Sequence, residues 1–238
     1  MPESITFDVG AYLACGASTA FHALKKMDVS GRDVLAVFGQ GPVGLAATMF
    51  GTAMGARVIA VDVSAERLRL ARIAGAWETV DNNDGRAVAR IKDLTHGEGA
   101  DASLEAVGRP ETRVARPRVA RPRVARPETR GARPRVARPE TRVAVVEATR
   151  IFGRSCLVGE GGTVTYEATP HIIHRHLTLI GSWTFSTFGL AEAAQFVADR
   201  GLPLERLITG RVPLSKLPAA YEEFERQQTG KMVAVWDL

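Results

Sequence analysis

Three glycines in residues 39–44 carry the clearest chemical signal in the chain. The segment has the order Gly-Gln-Gly-Pro-Val-Gly and follows an apolar run. In this spacing the first glycine makes a tight turn, the second lets a pyrophosphate approach the backbone, and the third lets the next helix pack closely. Amide groups at the start of that helix attract phosphate. The pattern predicts a dinucleotide-binding turn. Its expected cofactor contacts are Gly39, Gly41, Pro42, Val43 and Gly44.

Asp62 is placed to choose between the two nicotinamide dinucleotides. It ends the apolar run 57–62, and the motif places an acidic residue about 20 residues beyond the glycines. A carboxylate at that point can accept both hydrogen bonds from an adenosine ribose, whereas a 2′-phosphate would meet it as a like charge. The spacing therefore predicts that NAD is preferred over NADP.

The elements that must position these residues alternate between strands and helices. Residues 34–38 and 57–62 are short apolar runs, typical of strands covered on both faces in a parallel sheet. The small apolar residues 42–55 between them predict a helix. The alternation continues and supplies about six strands, which indicates an α/β fold with a doubly wound parallel Rossmann sheet. Further helices are expected over 11–26, 65–74, 86–94 and 143–151, and further strands near 79–80 and over 102–107, 155–159 and 177–182.

An arginine- and proline-rich repeat interrupts this alternation. The heptapeptide Arg-Pro-Glu-Thr-Arg-Val-Ala occurs at residues 109–115 and again at 138–144, and residues 113–141 contain ten Arg and two Glu. The whole chain has a formal net charge of +5, so the remainder is mildly acidic. Because recurrent prolines prevent helix formation and like charges oppose collapse, we expect a disordered, solvated loop that tandem expansion has placed inside an older domain.

The same repeat opens the alternative of nucleic-acid binding. Its arginines can bind phosphates non-specifically, with an affinity that falls steeply as the salt concentration rises. Residues 113–141 contain no aromatic side chain on which a base could stack, and a run of charge is more often simply solvated. Nucleic acid is therefore the disfavoured partner, and NAD(H) is the expected one.

Cysteine content and hydropathy indicate a cytoplasmic protein without a membrane segment. Cys15 and Cys156 are the only cysteines, too few for a disulfide framework. No apolar run reaches the length of about 18 residues that a membrane span needs, and the first residues lack a secretion signal. We expect Cys156 to lie in the core. His171, His174 and His176 have no Cys or carboxylate partner close in sequence, so a segment linking two strands explains them better than a metal cluster.

Several stretches together resemble the zinc-type alcohol and polyol dehydrogenases of the medium-chain family. They cover nearly the whole chain apart from the repeat, and they are residues 15–24, 39–44, 62–67, 105–109 and 157–162. The resemblance implies an oxidoreductase that acts on CH–OH groups and uses NAD and zinc. In such an enzyme hydride passes between C4 of the nicotinamide and a carbonyl carbon held by zinc.

The resemblance also assigns roles to individual residues. Thr19 would lie near the nicotinamide in the catalytic site, and Cys15 would correspond to the third ligand of the catalytic zinc in some members. Arg67 would help to hold the adenosine. The loop beside the adenine would consist of Val107, Gly108 and Arg109. The backbone contacts to the nicotinamide carboxamide would come from Val158, Ser182 and Thr184.

The family's N-terminal catalytic domain, with its first zinc cysteine and its His-Glu pair, has no counterpart in these residues. A catalytic zinc needs three protein ligands and an open position. Cys15 alone cannot hold one, and we expect it to be a buried small thiol in a helix. We therefore expect the chain to be catalytically impaired as it stands. Three alternatives stay open: an inactive relic, a homodimer, and pairing with a separate catalytic-domain chain.

The expected domain organisation follows from the same resemblance. Residues 1–30 would be a remnant of the catalytic domain with its connecting helix. Residues 31–185 would form the NAD-binding Rossmann domain, interrupted by the repeat at 113–141. Residues 186–238 would be a small C-terminal segment related to the catalytic domain.

Overall fold

A computed structural model describes residues 2–107, 141–161, 163–226 and 228–236. Gly108, Arg109 and the repeat up to residue 140 lie outside the described residues. The predicted disorder of the insertion and the expected positions of Gly108 and Arg109 beside the adenine therefore remain predictions.

Six parallel strands form the main sheet, as the apolar runs predict. Their order across the sheet is β3-β2-β1-β4-β5-β6. This is the order of a doubly wound dinucleotide-binding sheet, in which the chain reverses direction across the sheet between β1 and β4. The predicted fold class is confirmed. The strands are β1 (Val34–Phe38), β2 (Arg57–Asp62), β3 (Glu78–Asp81), β4 (Ala100–Glu105), β5 (Thr149–Leu157) and β6 (Thr178–Gly181).

Helices cover both faces of this sheet and continue beyond it. A π-helical turn over Leu13–Ala17 joins the first two helices, and further short helical turns occupy Ala168–Ile173, Leu204–Leu207 and Leu214–Lys216. The α-helices are α1 (Phe7–Tyr12), α2 (Ser18–Lys26), α3 (Pro42–Ala53), α4 (Ala65–Ile73), α5 (Ala87–Leu94), α6 (Thr141–Ala148), α7 (Thr187–Arg200) and α8 (Leu217–Glu225).

The main core lies on the face of the sheet covered by α2, α3 and α7. Phe21, Phe50 and Phe196, one from each of these helices, form an aromatic cluster with ring centroids 5.1 to 5.9 Å apart. Two of the three pairs meet edge to face, the geometry that aromatic rings favour because of their quadrupoles. The cluster fixes α3, and thus the glycine turn before it, against the chain's first helices.

The start of β5 differs from the sequence prediction. We expect a helix over 143–151, but α6 ends at Ala148 and β5 begins at Thr149. Thr149 is buried, and its hydroxyl donates to the Val145 carbonyl at 2.8 Å. Its Oγ1 also lies 2.8 Å from the Ser155 hydroxyl. A β-branched residue tied to both elements ends the helix at this point, and the register of β4 with β5 then shifts after Ala100.

A separate two-stranded parallel sheet lies in the C-terminal part of the chain. It consists of β7 (Ile208–Pro213) and β8 (Lys231–Val235), with α8 between them in sequence. Tyr221 on α8 and Trp236 after β8 are exposed, so this part of the chain presents apolar surface. None of the helices in the described ranges combines the length and the apolar character that crossing a bilayer requires.

Candidate functional site

The glycine turn has the steric requirements that its spacing predicts. Gly39 has a φ of +89°, and a Cβ added there would lie 2.9 Å from Cγ2 of Val107. A Cβ on Gly44 would lie 1.7 Å from the Gly39 carbonyl oxygen, so any side chain would push α3 off the turn. Gly41 precedes α3 in an extended conformation, with Pro42 as the first helical residue. The N-terminal end of α3 is thus open to an anion.

Asp62 is bound tightly to the backbone around this turn. One carboxylate oxygen accepts the Gln40 amide at 2.6 Å, and the other accepts the amides of Val63 and Ser64 at 2.7 and 2.9 Å. A carboxylate offers about four acceptor positions, so the three backbone donors leave about one in-plane acceptor position. The expected hydrogen bonds between Asp62 and an adenosine ribose stay a prediction.

Gln40, the second residue of the motif, holds the turn from inside. Its side chain is fully buried. The side-chain Nε2 donates to the Val37 carbonyl at 3.0 Å, and the side-chain Oε1 accepts a hydrogen bond from the Thr48 hydroxyl of α3 at 2.9 Å. The motif allows any residue at this position, so sequence reasoning missed Gln40. Its fixed hydrogen bonds connect β1 to α3 beneath the turn.

Arg67 lies over the glycine turn and connects it to the C-terminal segment. The nearest atoms to an added Cβ on Gly41 belong to the Arg67 guanidinium, at 3.8 Å. Arg67 Nε donates to the Thr229 carbonyl at 3.3 Å. Burial lowers the pKa of Arg67, while the negative charge of Asp62 acts in the opposite direction. The expected contact of Arg67 with the adenosine stays a prediction, and nothing in the sequence points to Thr229.

Tyr12 anchors the first turn of α3 from the N-terminal helix. Its ring is fully buried, and its hydroxyl donates to the Pro42 carbonyl. Burial raises the pKa of the Tyr12 phenol well above its ordinary value. Lys231 Nζ lies 5.9 Å from the centre of the Tyr12 ring. Pro42 and Lys231 also line a mostly apolar cavity of about 230 Å³ between β8 and α8.

Glu105 brings two further predicted residues together at the carboxyl edge of the sheet. Its Oε1 accepts the Val107 amide at 2.9 Å, and its main-chain carbonyl accepts the amides of Val158 and Gly159 at 3.0 and 3.2 Å. Since Val107 also contacts Gly39, the glycine turn, Val107 and Val158 form one continuous edge. Glu105 itself was absent from the predicted contacts.

Ser182 and Thr184 follow the last strand of the sheet. The Ser182 amide donates to the Leu157 carbonyl at 3.0 Å, which sets it beside the end of β5. Its buried hydroxyl has no hydrogen-bond partner among the described residues. Thr184 has a φ of +52°, a conformation that costs energy for a β-branched residue and persists only where surrounding contacts impose it.

The two residues expected near the zinc and the nicotinamide lie on the N-terminal helices. The Thr19 hydroxyl donates to the Cys15 carbonyl at 2.7 Å, so it is used within its own helix. Cys15 is exposed, and the expectation of a buried thiol is wrong. In the π-helical turn Leu13 and Ala17 face the core while Cys15 faces outward. Cys156 is fully buried, as predicted.

The predicted histidines make local contacts between β5 and β6. His171 Nε2 lies 3.8 Å from a carboxylate oxygen of Glu147, and the His176 ring stacks on Phe152. In the part of the chain that the structure describes, no three His, Cys, Asp or Glu side chains are grouped so as to hold a metal ion. The donors here therefore do not fit a catalytic zinc, which needs three protein ligands.

Comparison with known proteins relates the chain to a dehydrogenase family. Residues 42–123 match the model of the zinc-binding dehydrogenase family. An uncharacterized zinc-type alcohol dehydrogenase-like protein of Escherichia coli K12 is 29% identical over 236 residues, which cover 98% of this chain and 58% of the relative. Sorbitol dehydrogenase of Bos taurus is 26% identical, with 97% of this chain and 56% of the relative covered.

Solved structures agree in fold. An alcohol dehydrogenase from Thermotoga maritima has a TM-score of 0.77 at 24% identity and covers 99% of this chain and 59% of its own. An Escherichia coli alcohol dehydrogenase solved with NADH has a TM-score of 0.74 at 16% identity, over 100% of this chain and 61% of its own. The chain thus spans less than two thirds of the length of these relatives.

Proposed function

This chain carries the C-terminal nucleotide-binding domain of the zinc-binding dehydrogenases, and from that premise we propose that it binds NAD(H) at the turn formed by residues 39–44. The observation that supports this proposal is the close packing of the turn: a Cβ added to Gly44 would lie 1.7 Å from the Gly39 carbonyl oxygen, so no side chain fits there without displacing α3. A turn packed this closely presents the helix N-terminus to a pyrophosphate.

The adenosine end would be held by Asp62 and Arg67. Asp62 keeps one acceptor position after its three backbone bonds, enough for one ribose hydroxyl. The Arg67 guanidinium lies beside Gly41, where its positive charge favours the nearby phosphates. A 2′-phosphate would still meet the Asp62 carboxylate, so we propose a preference for NAD(H) over NADP(H).

The nicotinamide end would lie along the other half of the carboxyl edge. Val158, Ser182 and Thr184 follow β5 and β6 there, and the Glu105 and Leu157 carbonyls hold the Val158 and Ser182 amides in place. When bound, NAD supplies the acceptor for a hydride. The residues of this chain bind and orient that group.

Catalysis on CH–OH groups is the activity of the parent family. We propose that the residues of this chain cannot complete that reaction alone. A zinc ion that polarises the substrate oxygen needs three protein ligands, and Cys15 is a single exposed thiol. The proposal is therefore that these residues act as an NAD(H)-binding module, and that zinc ligands from outside them are needed for turnover. Zinc-dependent oxidation of a simple alcohol by this chain alone would contradict that part of the proposal.

Calorimetric titration with NADH tests the binding site. Asp62→Ala should weaken NADH binding by about tenfold or more, because it removes a charged acceptor and leaves three backbone amides unpaired. Asp81→Ala is the matched control, since Asp81 pairs in register with Asp62 on the neighbouring strand and should bind NADH like the unaltered chain. Equal affinity of both variants would exclude the proposed adenosine contact.

A variant lacking residues 113–141 separates an active module from a relic. Binding by the full chain as well as the shortened one means that the site works and a catalytic-domain partner should be sought. Binding by the shortened chain alone means that the repeat has disabled the site. Absence of binding in both overturns the proposed function.

A further inference from the structure

Glu105 is a buried carboxylate with an unusual shortage of partners. The residue is 2% exposed. Its Oε1 accepts the Val107 amide at 2.9 Å, but Oε2 has no hydrogen-bond partner among the described residues. Within the described ranges Oε2 pairs with Arg142, whose Nε lies 3.9 Å away. Burying an ionised carboxylate is costly unless a charge compensates it, so the arginine is needed where it lies.

Arg142 lies on α6 and makes three contacts with its surroundings. Its side chain is largely buried. Arg142 Nη2 donates to the Gly159 carbonyl at 2.9 Å, and the Arg142 carbonyl accepts the Tyr166 hydroxyl at 3.3 Å. The Glu105 carboxylate and the Gly159 carbonyl therefore hold the Arg142 guanidinium in place.

The contacts of Glu105 and Arg142 close into a ring at the carboxyl edge of the sheet. The Glu105 carbonyl accepts the amides of Val158 and Gly159, Arg142 binds the Gly159 carbonyl, and the Glu105 carboxylate faces Arg142 while holding the Val107 amide. The ring joins the end of β4, the end of β5 and the start of α6.

We propose that the Glu105–Arg142 ion pair is a positioning element for the cofactor crevice. It holds the Val107 and Val158 backbones in the arrangement that receives the dinucleotide. Neither residue touches the cofactor in this inference. The effect of the pair on cofactor affinity rests on the proposed NAD(H) binding. Its effect on the Val107 and Val158 backbones does not depend on a ligand.

The arginine of this ion pair comes from the second of the two copies of the repeated heptapeptide. Arg142 belongs to the copy at 138–144, which is followed by Val145 and Val146. Both valines are fully buried. The copy at 109–115 is followed by Arg116 and Pro117, and neither residue suits a buried helical position. The fold therefore requires the arginine of the second copy.

The first copy of the heptapeptide provides a matched control for the second. Arg113 has the same neighbours within its heptapeptide as Arg142, so Arg142→Gln and Arg113→Gln make the same chemical change in the same local sequence. They remove the same amount of charge. If the two variants differ in exchange rates or in NADH affinity, the position of the arginine in the fold is the cause.

Amide hydrogen exchange, followed by nuclear magnetic resonance, tests the positioning without a ligand. Arg142→Gln should accelerate exchange of the Val107, Val158 and Gly159 amides by about tenfold or more, because their acceptors lose a fixed position. Arg113→Gln should leave these rates unchanged. Unchanged rates in Arg142→Gln, or equal acceleration in both variants, would overturn the proposal.

NADH affinity measures the consequence for binding. Arg142→Gln should raise the NADH dissociation constant by about tenfold, which corresponds to about 1.4 kcal/mol, under conditions where circular dichroism shows the chain folded. Glu105→Gln should do the same, and the double variant should be no worse than either single variant, because paired residues act as a unit. Additive losses would contradict the pairing.

The two measurements also separate this inference from the proposed function. If the unaltered chain fails to bind NADH, the proposed function fails, and the exchange rates still decide whether the pair positions the edge. If the chain binds NADH and Arg142→Gln binds it equally well, the proposed function stands and this inference is wrong.

Discussion

The two halves of the main sheet are built differently. In the half containing β1 and β2, nearly every strand residue is buried, and the polar groups of Gln40 and Asp62 are bound by fixed partners. At the other end β6 lies at the sheet edge with most residues exposed. Ser182 after it has an unpaired buried hydroxyl among the described residues. The difference teaches that the nucleotide turn is stabilised from inside the chain, whereas the edge strand β6 is less fully packed.

Two glycines give the largest expected contrast between these halves. Gly44→Ala should abolish NADH binding and lower the free energy of unfolding by about 3 kcal/mol or more, because overpacking against a backbone carbonyl forces α3 to shift. Gly181→Ala should change the free energy of unfolding by less than about 0.5 kcal/mol, since an added Cβ at the end of β6 meets nothing within 4 Å. Urea unfolding measures both. Equal losses would remove the distinction between the halves.

Alkaline pH should weaken the fold through Cys156 on β5. Burial raises the pKa of this thiol from 9.0 to about 12. Between those values the unfolded chain releases the proton while the folded chain keeps it, so stability falls as the pH rises, by up to about 1.4 kcal/mol per pH unit. Urea unfolding at pH 8 and pH 10 should show a larger loss for the unaltered chain than for Cys156→Ala.

Thiol reactivity provides the internal control for that titration. Cys15 is exposed and Cys156 is buried, so a thiol reagent should modify Cys15 in the folded chain and reach Cys156 only after unfolding. Rapid modification of Cys156 under native conditions would mean that the packing of β5 is looser than described.

A smaller effect is expected from Tyr12→Phe. The change removes the hydroxyl that donates to the Pro42 carbonyl and should lower the free energy of unfolding by about 1 kcal/mol. NADH affinity should fall slightly, because the first turn of α3 is then held by fewer contacts. Thermal unfolding and NADH titration measure the two effects. A loss as large as that of Gly44→Ala would show that the hydroxyl, rather than the glycine packing, dominates the turn.

Much of the fold was predictable because its signals are local. Apolar runs predicted the parallel strands, and the glycine spacing predicted the turn that the close approach of Gly44 to Gly39 confirms. The boundary at Thr149 was missed, since its two hydroxyl contacts join a helix and a distant strand position. The prediction that Cys15 is buried was wrong because a π-helical turn changes which residues face the core. No residue pattern marks that turn.

The amino-acid sequence by itself determined the order of strands and helices, the glycine turn and the acidic residue after β2. These depend on the periodicity of apolar residues and on steric limits within a few neighbouring residues. Tertiary structure decided which groups meet across the chain. Arg67 meets Thr229, and Glu105 meets Arg142. Such contacts arise when distant segments pack against one sheet edge, and burial then gives each charge a partner that sequence spacing does not specify.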